Sequence, residues 1–166
     1  MDAHQAIVTK RDTRSYLPEP VPEEQLEKVL RSARMAGSAK NMQLTRLVVV
    51  TDQADRDGLA ECGDFTSWIG SAPVVIVFVV PAETGRMFDV GRMAQNLMVA
   101  ANAEGLATCP VTFQHQGRIR ALLGIPDDHE GTMGVTLGRP GPPSDSPLKS
   151  KRVELDDLVH RGRWQG

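Results

Sequence analysis

The sequence has few aromatic residues and few cysteines. Of its 166 residues, 4% are Phe, Trp or Tyr, and only two are cysteines. Cys62 and Cys109 are far apart, so they form neither a CxxC motif nor a disulfide framework. This usage favours a reducing compartment and predicts a cytoplasmic protein. Seven methionines accompany the scarce aromatics and indicate an aliphatic, adaptable core.

Long apolar runs and an excess of one charge are also missing. The longest apolar run, Val74 to Pro81, is far shorter than the roughly 20 residues of a spanning helix. The N-terminus carries no apolar segment typical of a secretory signal. The formal net charge is -2, which gives no general basic footprint for nucleic acid. We therefore expect neither a membrane nor a nucleic acid as partner, although a local basic contact with nucleic acid stays open as a weaker alternative.

Several motifs that carry chemistry are absent. The sequence has no GxGxxG, no Walker P-loop, no HExxH and no GxSxG. The four histidines are scattered and share no helical spacing, so no metal site is predicted; they are His4, His115, His129 and His160. We therefore expect the chain either to use a bound cofactor for catalysis or to function by binding alone.

Helical and strand patterns alternate along residues 1–166, which predicts one α/β or α+β domain with a single sheet. The run 74–80 is apolar on both faces, as in an interior strand. The pattern of 87–104 is apolar nearly all round and predicts a helix buried in the core or between subunits. We also expect a helix from Pro22 to near Gly37 and a strand from Thr132 to Leu137.

Three polar groups are candidates for ligand binding. The first is the turn Lys10–Arg14, whose three cations suit a phosphate, although a solvated basic turn is the alternative. The second is the segment 149–152, which contains Lys151 and Arg152 and is either a further anion contact or a charged loop edge. The third, Ser38, Asn41 and Gln43, suits a polar ring or a ribityl chain, or simple loop capping.

Six motifs follow one another along almost the whole chain: KRDTRSY, VPEEQLEKVLRSARMAGSAKNMQ, SAPVVIVFVV, DVGRMAQNLMVAANAEGLATCPV, LLGIPDDHEGTMGVTLGRP and KRVELDDLVH. In this order they resemble the motifs of the nitroreductase-like family of flavin enzymes. The resemblance implies an α+β fold, a mixed β-sheet flanked by helices, and an intertwined homodimer. Two FMN molecules would lie at the dimer interface, with helix 87–104 at its centre.

The resemblance also implies three groups of cofactor-binding residues. The group around the flavin phosphate and pyrimidine edge is Lys10, Arg11, Asp12 and Arg14, with Lys151 and Arg152 approaching from the C-terminal side. The group that contacts the flavin from the partner subunit is Ser38, Asn41 and Gln43. The group that passes the isoalloxazine ring near N5, where a backbone N–H acts as donor, is Pro110, Val111 and Thr112.

The sequence departs from the family pattern at several positions. Lys10 replaces a common Arg, and Gly37 replaces a proline. Asp12 replaces a common Ser, as in the branch that contains the flavin-fragmenting enzyme of cobalamin lower-ligand synthesis. The insertions that form a lid over the flavin in larger members are missing. We therefore expect an open flavin face.

The function implied by the resemblance is an FMN-dependent oxidoreductase with NADH or NADPH as donor. It would reduce nitroaromatic, quinone or similar small acceptors by ping-pong hydride transfer through flavin N5, with no catalytic side chain. Two alternatives remain. One is a flavin-binding dimer with little turnover, and the other is oxygen-dependent flavin chemistry, which only Asp12 suggests.

Overall fold

The structure, a computed structural model, describes residues 1–84, 86–142 and 152–164. Helices and strands alternate through most of these ranges. The helices are α1 (Ala3–Thr9), α2 (Glu23–Arg34), α3 (Gln53–Ala60), α4 (Met87–Ala103), α5 (Gln116–Leu123) and α6 (Leu155–Leu158). The strands are β1 (Arg46–Val50), β2 (Val74–Pro81), β3 (Ala107–Thr112) and β4 (His129–Gly138).

The four strands form one sheet in the order β1-β2-β4-β3, and neighbouring strands run antiparallel. At the centre, Ile76 lies between Val49 of β1 and Val135 of β4. A single parallel bridge joins Asp12 to Thr108 on the outer side of β3. The α+β class that the family resemblance implies is confirmed, with the four strands antiparallel and a parallel bridge at Asp12. Strand β2 is the interior strand that its apolar run predicts.

Successive side chains of a strand point to opposite faces of the sheet. Because those of β2 are apolar on both faces, both faces of the sheet are covered by other elements. Ile76 and Phe78 pack on one side with α2 and α4, where Leu97 is completely buried. Val75 and Val77 pack on the other side with the residues of α3 and α5. Each face therefore has its own aliphatic core.

The helix after Pro22 ends at Arg34, before the end expected near Gly37. Gly37 does not have the left-handed conformation of a terminating glycine. A Cβ at this position would lie 2.7 Å from Nη2 of Arg92, which is the flexible end of a side chain that can shift. Gly105, by contrast, has φ +75° just after α4, as a helix terminator requires.

Strand β4 begins at His129, earlier than the expected Thr132. The reason lies in β2, whose last residues Val80 and Pro81 pair with Glu130 and His129. These pairs follow an irregularity in the register after Phe78. The polar residues at the start of β4 are therefore ordered by their strand neighbour, and a hydrophobic pattern does not reveal them.

Helix α4 buries only one of its faces within a single chain. Ala94, Leu97 and Ala101 are buried against the sheet, whereas Phe88 is 78% exposed on the other side. The segment 152–164 has exposed apolar side chains too, including Leu155 and Leu158. Among the helices of the described ranges, none has the length and apolar character needed to cross a bilayer.

Candidate functional site

The basic turn, Lys10–Arg14, lies along the outer edge of β3. The backbone N–H of Thr13 donates to the carbonyl of Thr108 at 3.0 Å, next to the bridge at Asp12. The Arg11 guanidinium donates to the carbonyl of Val8 at 2.8 Å. Strand pairing and these local hydrogen bonds therefore fix the turn against the sheet.

A cavity of about 170 Å³ adjoins this turn. Residues 9–11 and Thr13 line one side, and Asn102 and residues 105–108 line the other. Asn102 Nδ2 donates to Thr9 Oγ1 at 2.9 Å, which ties α1 to α4. The lining therefore combines an ammonium, a guanidinium and hydroxyls, which are the donors that suit a phosphate.

Lys10 and Asp12 form an ion pair within the turn. The Lys10 side chain is only 12% exposed, whereas that of Asp12 is 48% exposed. The carboxylate therefore holds the lysine ammonium at the cavity and balances its charge. An arriving anion has to compete with this carboxylate for the ammonium.

Arg14 is held between two neighbours. Its Cζ lies 5.4 Å from the centre of the Trp68 ring, a cation–π distance. Its positive charge also acts on the nearby Cys109 thiol. Burial raises the pKa of the Cys109 thiol, and the contact with Arg14 acts in the opposite direction. Sequence analysis did not find Trp68, because its position between α3 and β2 carries no spacing signal that links it to Arg14.

Tyr16 anchors the end of the basic turn to the sheet. Its hydroxyl hydrogen-bonds the carbonyl of Thr13 and the hydroxyl of Thr136 on β4, the latter at 2.6 Å. Burial raises the pKa of the Tyr16 phenol, so the hydroxyl keeps its proton at neutral pH. The turn is thus braced by both β3 and β4.

The open edge of β3 presents one backbone donor beyond the turn. Phe113 N–H donates to Thr132 of β4, and Thr108 accepts from Thr13 on the outer side. Because groups alternate along a strand, Thr112 has its N–H on the outer side as well. Pro110 has no N–H to offer, and Val111 directs its N–H towards β4. Thr112 is therefore the donor among the three residues that the resemblance implied.

The polar loop, residues 38–43, precedes β1 at the opposite edge of the sheet. Ser38 Oγ accepts from the N–H of Gln43 at 3.0 Å. Lys40, Asn41 and Gln43 all have φ between 50° and 53°, a left-handed conformation that costs energy for a residue with a side chain. Three strand spacings, about 14 Å, separate β1 from β3. A single chain therefore does not bring Ser38, Asn41 and Gln43 to the basic turn.

A groove of about 480 Å³ lies beside the polar loop, between the end of α2 and the exposed face of α4. Its lining includes Met35, Gly37, Phe88, Arg92 and Gln95. The volume lies within the range of small-molecule sites. The groove and the polar loop form a second candidate surface, distinct from the basic turn.

The described part of the C-terminal basic group, Lys151 and Arg152, does not contact the basic turn. Lys151 lies outside the described residues. Arg152 is exposed, and within the described ranges it has no hydrogen bond or ion pair with the basic turn. Its predicted approach to a phosphate remains a prediction.

Comparisons with known proteins identify the relatives of this chain. The sequence profile of the Nitroreductase family matches residues 7–62 and 65–139. An NADH dehydrogenase from Thermus thermophilus is 28% identical over 96% of this chain and 95% of its own length. Nitroreductase A from Vibrio parahaemolyticus is similar in structure, with 27% identity, a TM-score of 0.85, and coverage of 100% of this chain and 78% of its own.

The NADPH:FMN oxidoreductase of Vibrio harveyi also shares the fold. It is 24% identical, with a TM-score of 0.85, and the match covers 99% of this chain and 78% of that protein. The family profile covers well over half of the chain and includes the basic turn, the polar loop and β3.

Proposed function

This chain belongs to the Nitroreductase family, and we propose that it is an FMN-dependent oxidoreductase that uses NADH or NADPH as its electron donor. The names of its relatives support this assignment. They include an NADPH:FMN oxidoreductase, an NADH dehydrogenase and a nitroreductase. The names differ in donor and acceptor, so they support the reaction class and leave the substrate open.

The observation that carries the proposal is the edge of β3. The phosphate-sized cavity at the basic turn and the outward N–H of Thr112 lie on the same side of this strand. Thr108 and Thr112 are separated by about 13 Å along the strand. This spacing suits a ligand with a phosphate at one end and a polar ring at the other. The residues present therefore fit FMN.

Lys10 and Arg11 would hold the phosphate, with Asp12 orienting the lysine. When bound, FMN supplies hydride transfer at N5, a chemistry that no side chain provides. Arg14 would lie near the N1–C2=O edge, where a positive charge offsets the negative charge of the reduced ring. Thr112 would donate its backbone N–H near N5. Each role uses a group whose position is fixed by the contacts described above.

We also propose that the site is completed by a second copy of the chain. In one chain the polar loop lies at the far edge of the sheet, so Ser38, Asn41 and Gln43 can reach a flavin only on a partner. The exposed apolar residues at the start of α4 and in segment 152–164 supply surface for such a dimer. The intertwined homodimer remains a prediction that these features support.

The acceptors we propose are nitroaromatics, quinones and similar small planar molecules. The chain passes from β2 to α4 through a short turn at Ala82–Thr84, without an inserted lid. The donor would leave before the acceptor binds over the same open flavin face, which gives ping-pong kinetics.

The experiment compares Arg11→Ala and Arg14→Ala with the wild type for FMN retention and for NAD(P)H oxidation with menadione or nitrofurazone. Arg31→Ala is the matched control, because Arg31 is exposed on α2 and pairs with Glu27 at 3.2 Å. We expect both site variants to lose FMN and turnover while the control keeps both. Full FMN retention in both site variants would show that the basic turn is not the flavin site.

The same assay separates the alternatives. A protein that retains FMN but oxidises neither NADH nor NADPH with any acceptor would be a flavin-binding dimer. A ring-fragmentation product formed from reduced FMN in air would indicate oxygen-dependent flavin chemistry. The ion pair with Lys10 occupies Asp12, the residue that suggested this last alternative.

A further inference from the structure

Arg86, the residue before α4, has too few hydrogen-bond partners for its burial. Its Nη2 donates to Sδ of Met42 at 3.3 Å, and a thioether is a weak acceptor. Its Nε is buried and has no partner among the described residues. Buried donors normally have partners, and a charged donor is costly to leave without one. No carboxylate among the described residues pairs with Arg86, so an anion bound beside this guanidinium would balance its charge.

Three further cations surround the same loop. Arg92 packs against Gly37, and Arg46 Nη1 donates to the carbonyl of Gln43 at 2.6 Å. Lys40 lies within the loop and is exposed. We call Lys40, Arg46, Arg86 and Arg92 the basic rim.

Among the described residues, one carboxylate contacts the polar loop and opposes the positive charge of the basic rim. Asp89 accepts from the backbone N–H of Ala39 at 3.2 Å. Four cations against one carboxylate leave a surplus of positive charge. Such a surplus attracts anions, most strongly where solvent screening is incomplete.

The backbone of the loop holds this arrangement in place. Lys40, Asn41 and Gln43 adopt left-handed conformations, which persist only where the surroundings enforce them. The Ser38 hydroxyl and the Asp89 carboxylate each accept a hydrogen bond from the loop backbone. Lys40 is therefore carried by a constrained loop.

We propose that the basic rim binds a phosphate group of the nicotinamide dinucleotide. This inference rests on the proposed function, because it requires the polar loop to lie beside the flavin of a partner subunit. FMN carries one phosphate, and the basic turn at the opposite sheet edge suits it. The basic rim is therefore available for the phosphates of the nicotinamide dinucleotide.

Two phosphate sources share this chemistry, and the experiment distinguishes them. The pyrophosphate is common to NADH and NADPH, whereas the 2′-phosphate is present only in NADPH. Lys40→Asn is the first variant, because asparagine removes the charge and tolerates the left-handed conformation. Arg86→Gln is the second, and Arg86→Lys keeps the charge. Arg31→Gln is the control on an exposed face of α2.

Steady-state kinetics with the FMN-loaded protein give the first readout. We expect Lys40→Asn and Arg86→Gln each to raise the KM for NADPH about tenfold, as for loss of a charge-assisted hydrogen bond. The kcat, the affinity for FMN and the Arg31→Gln control should stay unchanged. Arg86→Lys should recover part of the effect. If the KM for NADH is unchanged in these variants, the basic rim binds the 2′-phosphate. If the KM values for NADH and NADPH rise equally, the basic rim binds the pyrophosphate.

Calorimetric titration with 2′-phospho-ADP-ribose and ADP-ribose gives the second readout, which requires no turnover. We expect the wild type to bind at least one of them, and Lys40→Asn to weaken that binding. Unchanged KM values for both donors, or wild-type protein that binds neither compound, would overturn the inference. Failure of the proposed function would be distinct, since it appears as the absence of FMN binding or of NAD(P)H oxidation in the wild type.

Discussion

Arg14 and Trp68 face each other beside β3, with 5.4 Å between the guanidinium carbon and the centre of the indole ring. The indole N–H in turn donates to the carbonyl of Phe65 at 2.9 Å, so the ring is itself held. No carboxylate among the described residues forms an ion pair with Arg14. Its charge is therefore oriented by an aromatic face and is not neutralised by an acid.

Replacement of this aromatic face should weaken flavin binding. A cation–π contact contributes about 0.5–2 kcal/mol, so Trp68→Leu should raise the Kd for FMN by about 2- to 30-fold. Trp68→Phe keeps an aromatic face and should retain most of the affinity. Fluorescence titration of FMN measures both variants. Equal affinity in Trp68→Leu and wild type would mean that Arg14 does not depend on the ring.

Loss of the Tyr16 hydroxyl should lower stability at neutral pH. Tyr16→Phe removes the hydrogen bonds to Thr13 and Thr136, at a cost of about 1–2 kcal/mol in the free energy of unfolding. Urea unfolding at pH 7 measures the difference. A phenylalanine variant as stable as the wild type would show that the phenol does not brace the basic turn.

The same residue should make the wild type sensitive to alkali. Burial raises the folded-state pKa of Tyr16 above its ordinary value of 10.0, so above that pH the unfolded chain loses this proton first. The contribution of the phenol is therefore fully present below pH 10 and declines as the pH rises further. Between pH 9 and about 11, the wild type should lose more stability than Tyr16→Phe. Parallel declines in the two proteins would contradict this assignment.

Truncation of Leu97 should cause a large loss of stability. Leu97 is completely buried between α4 and the sheet, and Leu→Ala at such a site costs about 2–5 kcal/mol. Gln95→Ala lies on the exposed face of the same helix and is the control for helix effects. Urea unfolding at a fixed protein concentration measures both. If Leu97→Ala lost less unfolding free energy than Gln95→Ala, the result would contradict the described core.

The C-terminal segment should stabilise a dimer. Leu155 and Leu158 are 68% and 64% exposed in a single chain, on a helix of four residues that is too short to persist alone. Leu155→Ser combined with Leu158→Ser should shift the protein towards monomer. Asp156→Ser combined with Asp157→Ser is the matched polar control. Sedimentation velocity measures both, and a dimer unchanged by the leucine substitutions would exclude this role.

Most of the fold could be predicted from the sequence because its signals are local. The apolar run of β2 and the pattern of α4 predict buried elements, and a left-handed glycine, Gly105, follows the end of α4. Helix α2 ends at Arg34 with Met35 still in a right-handed conformation, so its end lacks the left-handed glycine that makes a helix end visible in a sequence. His129 and Glu130 belong to β4 because they pair with β2. Their own sequence has no alternating apolar pattern that would predict a strand there.

The candidate site was only partly predictable. The basic turn and β3 can be named as candidates because their residues are clustered in sequence and match family motifs. The separation of the polar loop from that turn depends on strand order, which residue spacing does not specify. Trp68 and Arg86 have neighbours distant in sequence, so only the folded chain reveals the contact with Arg14 and the unpaired Nε.

We propose above that this chain binds FMN at the edge of β3 and passes electrons from NAD(P)H through it. The most direct test is the absorption spectrum of the purified protein, incubated with FMN, desalted and then treated with NADH or NADPH without oxygen. We expect flavin bands at about one FMN per chain, and we expect at least one of the two donors to bleach them. A colourless protein after incubation and desalting would contradict it.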